Sequence, residues 1–380
     1  MKALINGKII LKDKVVEDSI VIFDKRIRDI VSEGSIALND YKVFDVKGKY
    51  ISPGFIDVHV HGGVGVDTMD SDLEGLKKIG KKILENGVTS FLPTTMTMSK
   101  QKIYKALNTI RKFKNIKNYK GARALGAHLE GPFINPEKKG AQNEKFIIKP
   151  SLNFIKDFLD IIKIITYAPE MDKDNVFIKD MSRFNDTALS LGHSLATYDQ
   201  AISAINNGAK SFTHLFNAMT GLHHRKPGMV GAALKSNAYT ELIADKIHVN
   251  KNLFQMITDL KDDKLILITD GMRAKCMKSG TYDLGGQKVT VDKNSARLKD
   301  NTLAGSILKL NKALKNMKEN TTKSISYLIN TASLYPAKLI NEAKNYGSIE
   351  KNKIADLCIF NDDFEINLTF KQGELVYKGE

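Results

Sequence analysis

A chain of 380 residues, 42% hydrophobic and 27% charged, has enough apolar material for a large core, which excludes a disordered or fibrous chain. The formal charge of +15 invites a nucleic-acid partner, but the surplus is lysine scattered along the chain, and only eight of the 58 basic residues are arginine. Arginine dominates bidentate phosphate and base contacts, and no aromatic-plus-basic motif appears, so no nucleic-acid partner is expected. The lysines are read as a solvated surface that also favours an anionic small substrate by steering. The longest apolar runs, "FIDVHV" and "KLILITD", are far short of a membrane span. "MKALINGKII" lacks the parts of a signal peptide, and Cys276 and Cys358 make no disulfide framework. A cytoplasmic protein with no membrane partner is expected.

In chain order, "KALINGKII", "SIVIFDKRIRDIV" and "YKVFDVKGKYIS" read as short strands separated by Gly and Asp turns. The far end, "IADLCIFNDDFEINLTFKQGELVYKGE", has three more strand-like runs. These ends, residues 1–52 and 346–380, are expected to pair into one small β-sandwich domain. Between them, over 53–345, strand-like runs end near His61, Pro93, Glu130, Glu170, His193, His214, Asp245 and Asp270. Helical patterns intervene, among them "SDLEGLKKIGKKILENG", "SKQKIYKALNTIRKFK" and "TYDQAISAINNGA". The first and third open on a Ser or Thr placed to cap the helix and close just before a Gly. Strand then helix, eight times, predicts an α/β fold built on a (β/α)8 TIM-type barrel.

In such a barrel, chemistry gathers where the strands end. "HVH" puts His59 and His61 on one face of the first strand, because alternate residues of a strand share a face. His193 and His214 end the fifth and sixth strands, Glu130 the third and Asp270 the eighth. Four imidazoles and two carboxylates on one rim match the ligand types of zinc, iron or manganese. Taken singly, a strand histidine is more often a satisfied structural residue than a ligand; six such groups at one end of one barrel reverse that.

The segments "PGFIDVHVHGG", "HLEGPF", "GHS", "THLFNAM", "RKPG", "IADKIHV" and "ITDGM" occur in the order found in the amidohydrolase superfamily. Over most of the chain the sequence resembles one family within it, the N-acetylglucosamine-6-phosphate deacetylases. The resemblance implies that Glu130, His193 and His214 hold one divalent metal, zinc or iron(II). His59 and His61, with Glu130 bridging, could hold a second, a pair that some members of the family have replaced while working with one metal. Asp270 would be the base that takes a proton from the attacking water, then the acid that protonates the departing amine. Asn217, Ala218, Arg225 and His248 would bind the sugar phosphate, with Arg225 or His248 reaching across the interface of a homodimer. Where relatives often read "KKGAH" this chain reads "KKGAQ", so Gln142 stands in a substrate-facing position without the charge of an imidazolium. The expected reaction is deacetylation of N-acetylglucosamine 6-phosphate. Alternatives are the galactosamine epimer as substrate, or a barrel that only binds a sugar phosphate.

Other residues have blander readings. His128 is placed as structural or as a neighbour of the ligands, and His223 in solvent. Met219, Met229 and Met272 are expected to line or pack the pocket, and Asp57 to orient His59.

Overall fold

The computed structural model describes residues 1–379. Its central feature is a parallel sheet of strands β1 (Phe55–Val60), β2 (Val88–Thr95), β3 (Ala127–Glu130), β4 (Ile162–Tyr167), β5 (Ala188–Leu191), β6 (Ser211–Phe212), β7 (Tyr239–Ile243) and β8 (Leu265–Ile268), paired in that order. These are the eight strands expected from the sequence, in the same positions. The barrel closes just beyond the last strand: Val60 and Gly271 form a parallel bridge, and the Asp270 N–H donates to the His59 carbonyl at 2.9 Å. Strands buried on both faces read as continuous apolar runs, which is why "LILI" carries no alternation.

The helices lie outside. In Leu73–Ile83 the stripe Leu76, Ile79 and Ile83 is buried, while the helix's lysines face outward. Its cap is Asp72, whose side chain accepts from the Glu74 N–H, rather than the expected Ser71, which has left-handed backbone. Helix Tyr198–Asn206 starts as its sequence predicts, with Thr197 and Gln200 forming a reciprocal capping box.

The two ends of the chain meet in two sheets. One contains Lys2–Ile5, Ser19–Phe23, Ile27–Ser32 and Lys42–Asp45. The other runs Glu374–Lys378, Ile366–Lys371, Leu357–Phe360, Tyr50–Pro53, Lys8–Ile10 and Val15–Val16. Between them lies a separate apolar core centred on Leu4, Val21, Phe23, Ile51, Leu357 and Phe370. Phe370 meets Phe23 and Phe44 edge-on, at 5.3 and 5.0 Å between ring centroids. The sandwich is anchored to the barrel by an ion pair between Arg123 and Asp356, and by Thr369, whose hydroxyl donates to the Leu84 carbonyl at 2.9 Å.

One element had no sequence-based expectation. After β8 the chain forms a small antiparallel sheet of Gly280–Leu284, Gln287–Val291 and Ala296–Arg297. It packs against Met96 and Met272 and lies over the C-terminal rim.

Candidate metal centre and active site

The ends of five barrel strands deliver six side chains to one buried point. Glu130, at the end of β3, faces imidazoles on both sides. Its Oε1 lies 3.3 Å from His193 Nε2, 3.1 Å from His214 Nε2 and 3.3 Å from His59 Nε2, and its Oε2 lies 3.2 Å from His61 Nε2. Asp270 Oδ1 sits 3.3 Å from His61 Nε2 and 3.5 Å from His59 Nε2. Two ligand-type clusters result, Glu130–His193–His214 and His59–His61–Asp270, with Glu130 between them.

The donor set fits divalent cations. The Nδ1–H of His193 can donate to the Lys138 carbonyl at 2.7 Å, and that of His59 to Glu241 Oε2 at 3.0 Å. Both rings then turn a bare Nε2 inward. The Nε2 atoms of His193 and His214 are 3.1 Å apart, and those of His59 and His61 are 3.3 Å apart. Lone pairs that close repel unless a proton or a cation lies among them. Without metal, protons supply the charge. Burial works against a charged His61, but Asp270 and Glu130 outweigh it and push its pKa up to about 9. Burial likewise resists ionisation of Asp270, yet the charge on His59 and the hydrogen bond from His61 hold it down at about 2. The same balance, burial outweighed by the imidazoles around it, keeps Glu130 well below the usual carboxylate range.

Backbone conformation at this rim is unusual. His193, His214, Phe216, Ala218 and Asp270 all have positive φ, at 49°, 32°, 75°, 50° and 49°. None is glycine or asparagine, and each such residue costs about 1–3 kcal/mol unless its surroundings hold it there. The strand-to-loop turns that aim these side chains inward are the reason.

A cavity of about 550 Å³ opens above the clusters. His61, Glu130, His193, His214 and Asp270 line it, together with Asn217, Ala218, Gln142 and His248. Lys138 borders it, and so do Arg297 and Leu303 from the insertion after β8. The His248 ring is fixed by Asp245, 2.6 Å from Nδ1.

The structure adds to or alters the sequence-based expectation at four residues. Arg225 does not line the cavity; it lies exposed in the loop before helix Gly228–Lys235, beside His223 and His224, which are exposed as well. Gln142 is committed to the protein: its Nε2 donates to Glu130 Oε2 at 2.7 Å and its Oε1 accepts the Thr97 N–H at 2.6 Å. An amide can do both at once and so orients the carboxylate between the two clusters. Asp57 does not orient His59; it accepts from Thr269. The group that orients His59 is Glu241 on β7, fully buried, whose Oε2 also accepts the His214 N–H at 3.2 Å. Sequence reading passed over Glu241, though a lone carboxylate inside the buried strand "YTELI" must have a partner and was the available signal.

His128 is structural. Its Nδ1 pairs with the Val58 carbonyl at 3.0 Å and its Nε2 with Thr166 Oγ1 at 2.8 Å, while burial and the charge on His59 keep it neutral. Met219, Met229 and Met272 are buried packing residues, and the methionine that borders the cavity is Met96.

The profile of the amidohydrolase family matches residues 50–376. An N-acetylglucosamine-6-phosphate deacetylase of Bacillus subtilis (strain 168) is 38% identical, over 95% of this chain and 98% of the relative. An N-acetylgalactosamine-6-phosphate deacetylase of Escherichia coli O157:H7 is 33% identical, over 91% of this chain and 93% of its own length. The crystal structure of N-acetylglucosamine-6-phosphate deacetylase from Pasteurella multocida superposes with a TM-score of 0.92 at 31% identity, over 100% of both chains. With the barrel, the buried imidazole and carboxylate clusters and this likeness together, the chain belongs to the amidohydrolase family.

Proposed function

We propose that the protein hydrolyses the acetamide of N-acetyl-D-glucosamine 6-phosphate to D-glucosamine 6-phosphate and acetate. The observation that carries this reading is the Glu130–His193–His214 cluster at the floor of a 550 Å³ cavity with Asp270 beside it, in a chain 38% identical to a deacetylase of that name. A cavity of that volume suits one hexose phosphate.

Glu130, His193 and His214 would hold one divalent cation, zinc or iron(II), and His59 and His61 a second, with Glu130 shared. When bound, such a cation polarises a carbonyl oxygen and makes water acidic. The remaining work falls to the chain's own groups. Asp270, kept ionised by the imidazoles around it, is ready to accept a proton from the attacking water. The same Oδ atoms can return that proton to the nitrogen as the C–N bond breaks, so one carboxylate serves both halves of the reaction. Glu241, Gln142 and the Lys138 carbonyl hold the His59 and His193 imidazoles and the Glu130 carboxylate in place. The insertion after β8 borders the cavity through Leu284, Arg297 and Leu303.

Asn217, Ala218 and His248 would bind the sugar phosphate. Arg225, exposed and outside the lining of that cavity, suits a role across a homodimer interface. We place the hydrolase domain at 53–345 and the sandwich at 1–52 and 346–380, in a cytoplasmic enzyme; no helix among the described residues is long and apolar enough to cross a membrane.

The E. coli relative named for the galactosamine epimer favours that sugar as a second reading. Comparing kcat/KM for the two N-acetylhexosamine 6-phosphates and for unphosphorylated N-acetylglucosamine tests both. The glucosamine epimer should be preferred and the unphosphorylated sugar turned over poorly. Preference for the galactosamine epimer would transfer the assignment, and equal use of the unphosphorylated sugar would remove the phosphate from it.

A further inference from the structure

Directly beneath Asp270 lies a buried polar group that the proposed reaction does not use. Asp57 on β1 grips Thr269, the residue before Asp270, with both carboxylate oxygens. Oδ1 accepts the Thr269 N–H at 3.2 Å and Oδ2 accepts its hydroxyl at 2.6 Å. Lys275 donates from Nζ to the same hydroxyl oxygen at 2.9 Å and stands 3.5 Å from Asp57 Oδ2. Asp57 and Lys275 are each 1% exposed, Thr269 not at all. A charged pair so deeply buried is a weak source of net stability, because desolvation offsets most of its attraction. Its retention therefore calls for another reason.

The surroundings supply one. The Lys275 side chain reaches Thr269 by passing over Gly271, where a Cβ would stand only 2.6 Å from Lys275 Cδ. The Lys275 carbonyl accepts the Val64 N–H at 2.8 Å, and the Gly62 N–H donates to the Gly271 carbonyl at 2.8 Å. The segment following "HVH" and the segment following Asp270 are thus laced together. On the other side the Ser306 hydroxyl donates to the Thr269 carbonyl, and the Ser306 N–H to the Asp270 carbonyl at 2.7 Å. Asp270 itself sits at φ 49°, a left-handed conformation that an aspartate keeps only where its neighbours over-determine it.

We propose that Asp57, Thr269 and Lys275 form a positioning clamp that holds Asp270 in its left-handed turn and so fixes its carboxylate beside His59 and His61. The clamp touches no substrate; it acts through Thr269. It joins the two strands, β1 and β8, that close the barrel, so it also sets the spacing between "HVH" and the carboxylate. The inference rests on the reading of Asp270 as the proton-transfer group.

The test compares Thr269→Val, which keeps shape but removes the hydroxyl, with Thr269→Ser, which keeps the hydroxyl. The double variant Asp57→Asn with Lys275→Met removes both buried charges together. In Thr269→Val, kcat for N-acetylglucosamine 6-phosphate should fall about tenfold or more, a loss of about 1.4 kcal/mol in transition-state stabilisation. KM and the number of metal ions bound per chain should stay unchanged, and Thr269→Ser should recover most of the loss. The double variant should repeat the kcat loss. A folded Thr269→Val protein with wild-type kcat would overturn the proposal. So would a loss that Thr269→Ser does not repair, or one accompanied by loss of bound metal, since each describes general damage rather than positioning. A readout independent of turnover is the carboxyl resonance of Asp270 in protein carrying isotope-labelled aspartate, assigned by its absence in Asp270→Asn. That resonance should move in Thr269→Val and return in Thr269→Ser, and an unmoved resonance would overturn the clamp. Wild-type protein that fails to turn over the sugar phosphate would count against the proposed function, and the resonance would then decide the clamp alone.

Discussion

The rim of the barrel and the terminal sandwich both contain non-glycine residues with left-handed backbone, and they do so for opposite reasons. In the sandwich these are the polar Asn6, Asp18, Lys47, Asn352 and Gln372, outside the apolar core between the sheets, and the buried Phe364. Asn and Asp tolerate that conformation because their short side chains bond locally, and nothing further depends on it. At the rim they are His193, His214, Phe216, Ala218 and Asp270, which include two proposed metal ligands and the proposed proton carrier. The sandwich is held by an apolar core that any well-packed set of side chains could build. The rim is held by specific polar contacts: Glu241 to His59, Gln142 to Glu130 and Asp57 to Thr269. Conformational strain is thus spent where side chains must converge, and the polar contacts beneath maintain it.

Changes at the two places should therefore fail in different ways. The largest effect is expected for Asp270→Asn, which should lower kcat by roughly 10²–10⁴-fold with the fold intact, the usual range for losing a general acid–base. Steady-state kinetics alongside circular dichroism would check it, and a decrease below tenfold would dissolve the distinction. Next comes Glu241→Gln, which removes the charge that orients His59. Metal affinity at the His59–His61 cluster should fall about 10–100-fold, read by competition with a chromogenic chelator. Unchanged affinity would mean that Glu241 is only a packing residue.

A smaller effect concerns pH. With His61 pushed up to about 9 in the metal-free state, it is protonated at neutral pH and must lose that proton to serve as a ligand. Metal binding should then release protons, and affinity should rise with pH until about 9 is passed. Calorimetry in buffers of different ionisation enthalpy measures the release directly; binding without proton release would contradict this charge assignment. The smallest effect on turnover should come from the sandwich. Phe370→Ala removes a ring at 0% exposure and should cost about 3–5 kcal/mol in stability. Activity per folded molecule should stay within twofold of wild type, and a larger loss would show that the sandwich governs the rim after all.

The fold was largely legible because a parallel barrel repeats one signal eight times, and all but the second strand end near a recognisable His, Asp or Glu. Even β6, which pairs over only Ser211–Phe212, was visible because His214 follows it. The site's ligand-type residues were legible for the same reason: a strand end and a metal-binding side chain coincide. What escaped was contact across the barrel. No local pattern says that Glu241 meets a residue 182 positions earlier, or that Asp57 turns to Thr269 rather than to His59. Gln142 was read as substrate-facing and does line the cavity, but only the coordinates place its amide against Glu130 as well. Arg225 was read from a motif, and motif position carries no information about which chain's cavity it serves. The sheet formed by 280–297 was missed because its short strands follow β8 without the helical spacing that organised the rest.

The most direct test of the account is free-amine release from N-acetylglucosamine 6-phosphate by chelator-treated protein titrated with zinc, iron(II) or manganese. The account predicts no release before metal is added and recovery with a divalent ion. The titration endpoint should require both the Glu130–His193–His214 and the His59–His61 ligands. Full release after chelation, or none with any of the three metals, would contradict it.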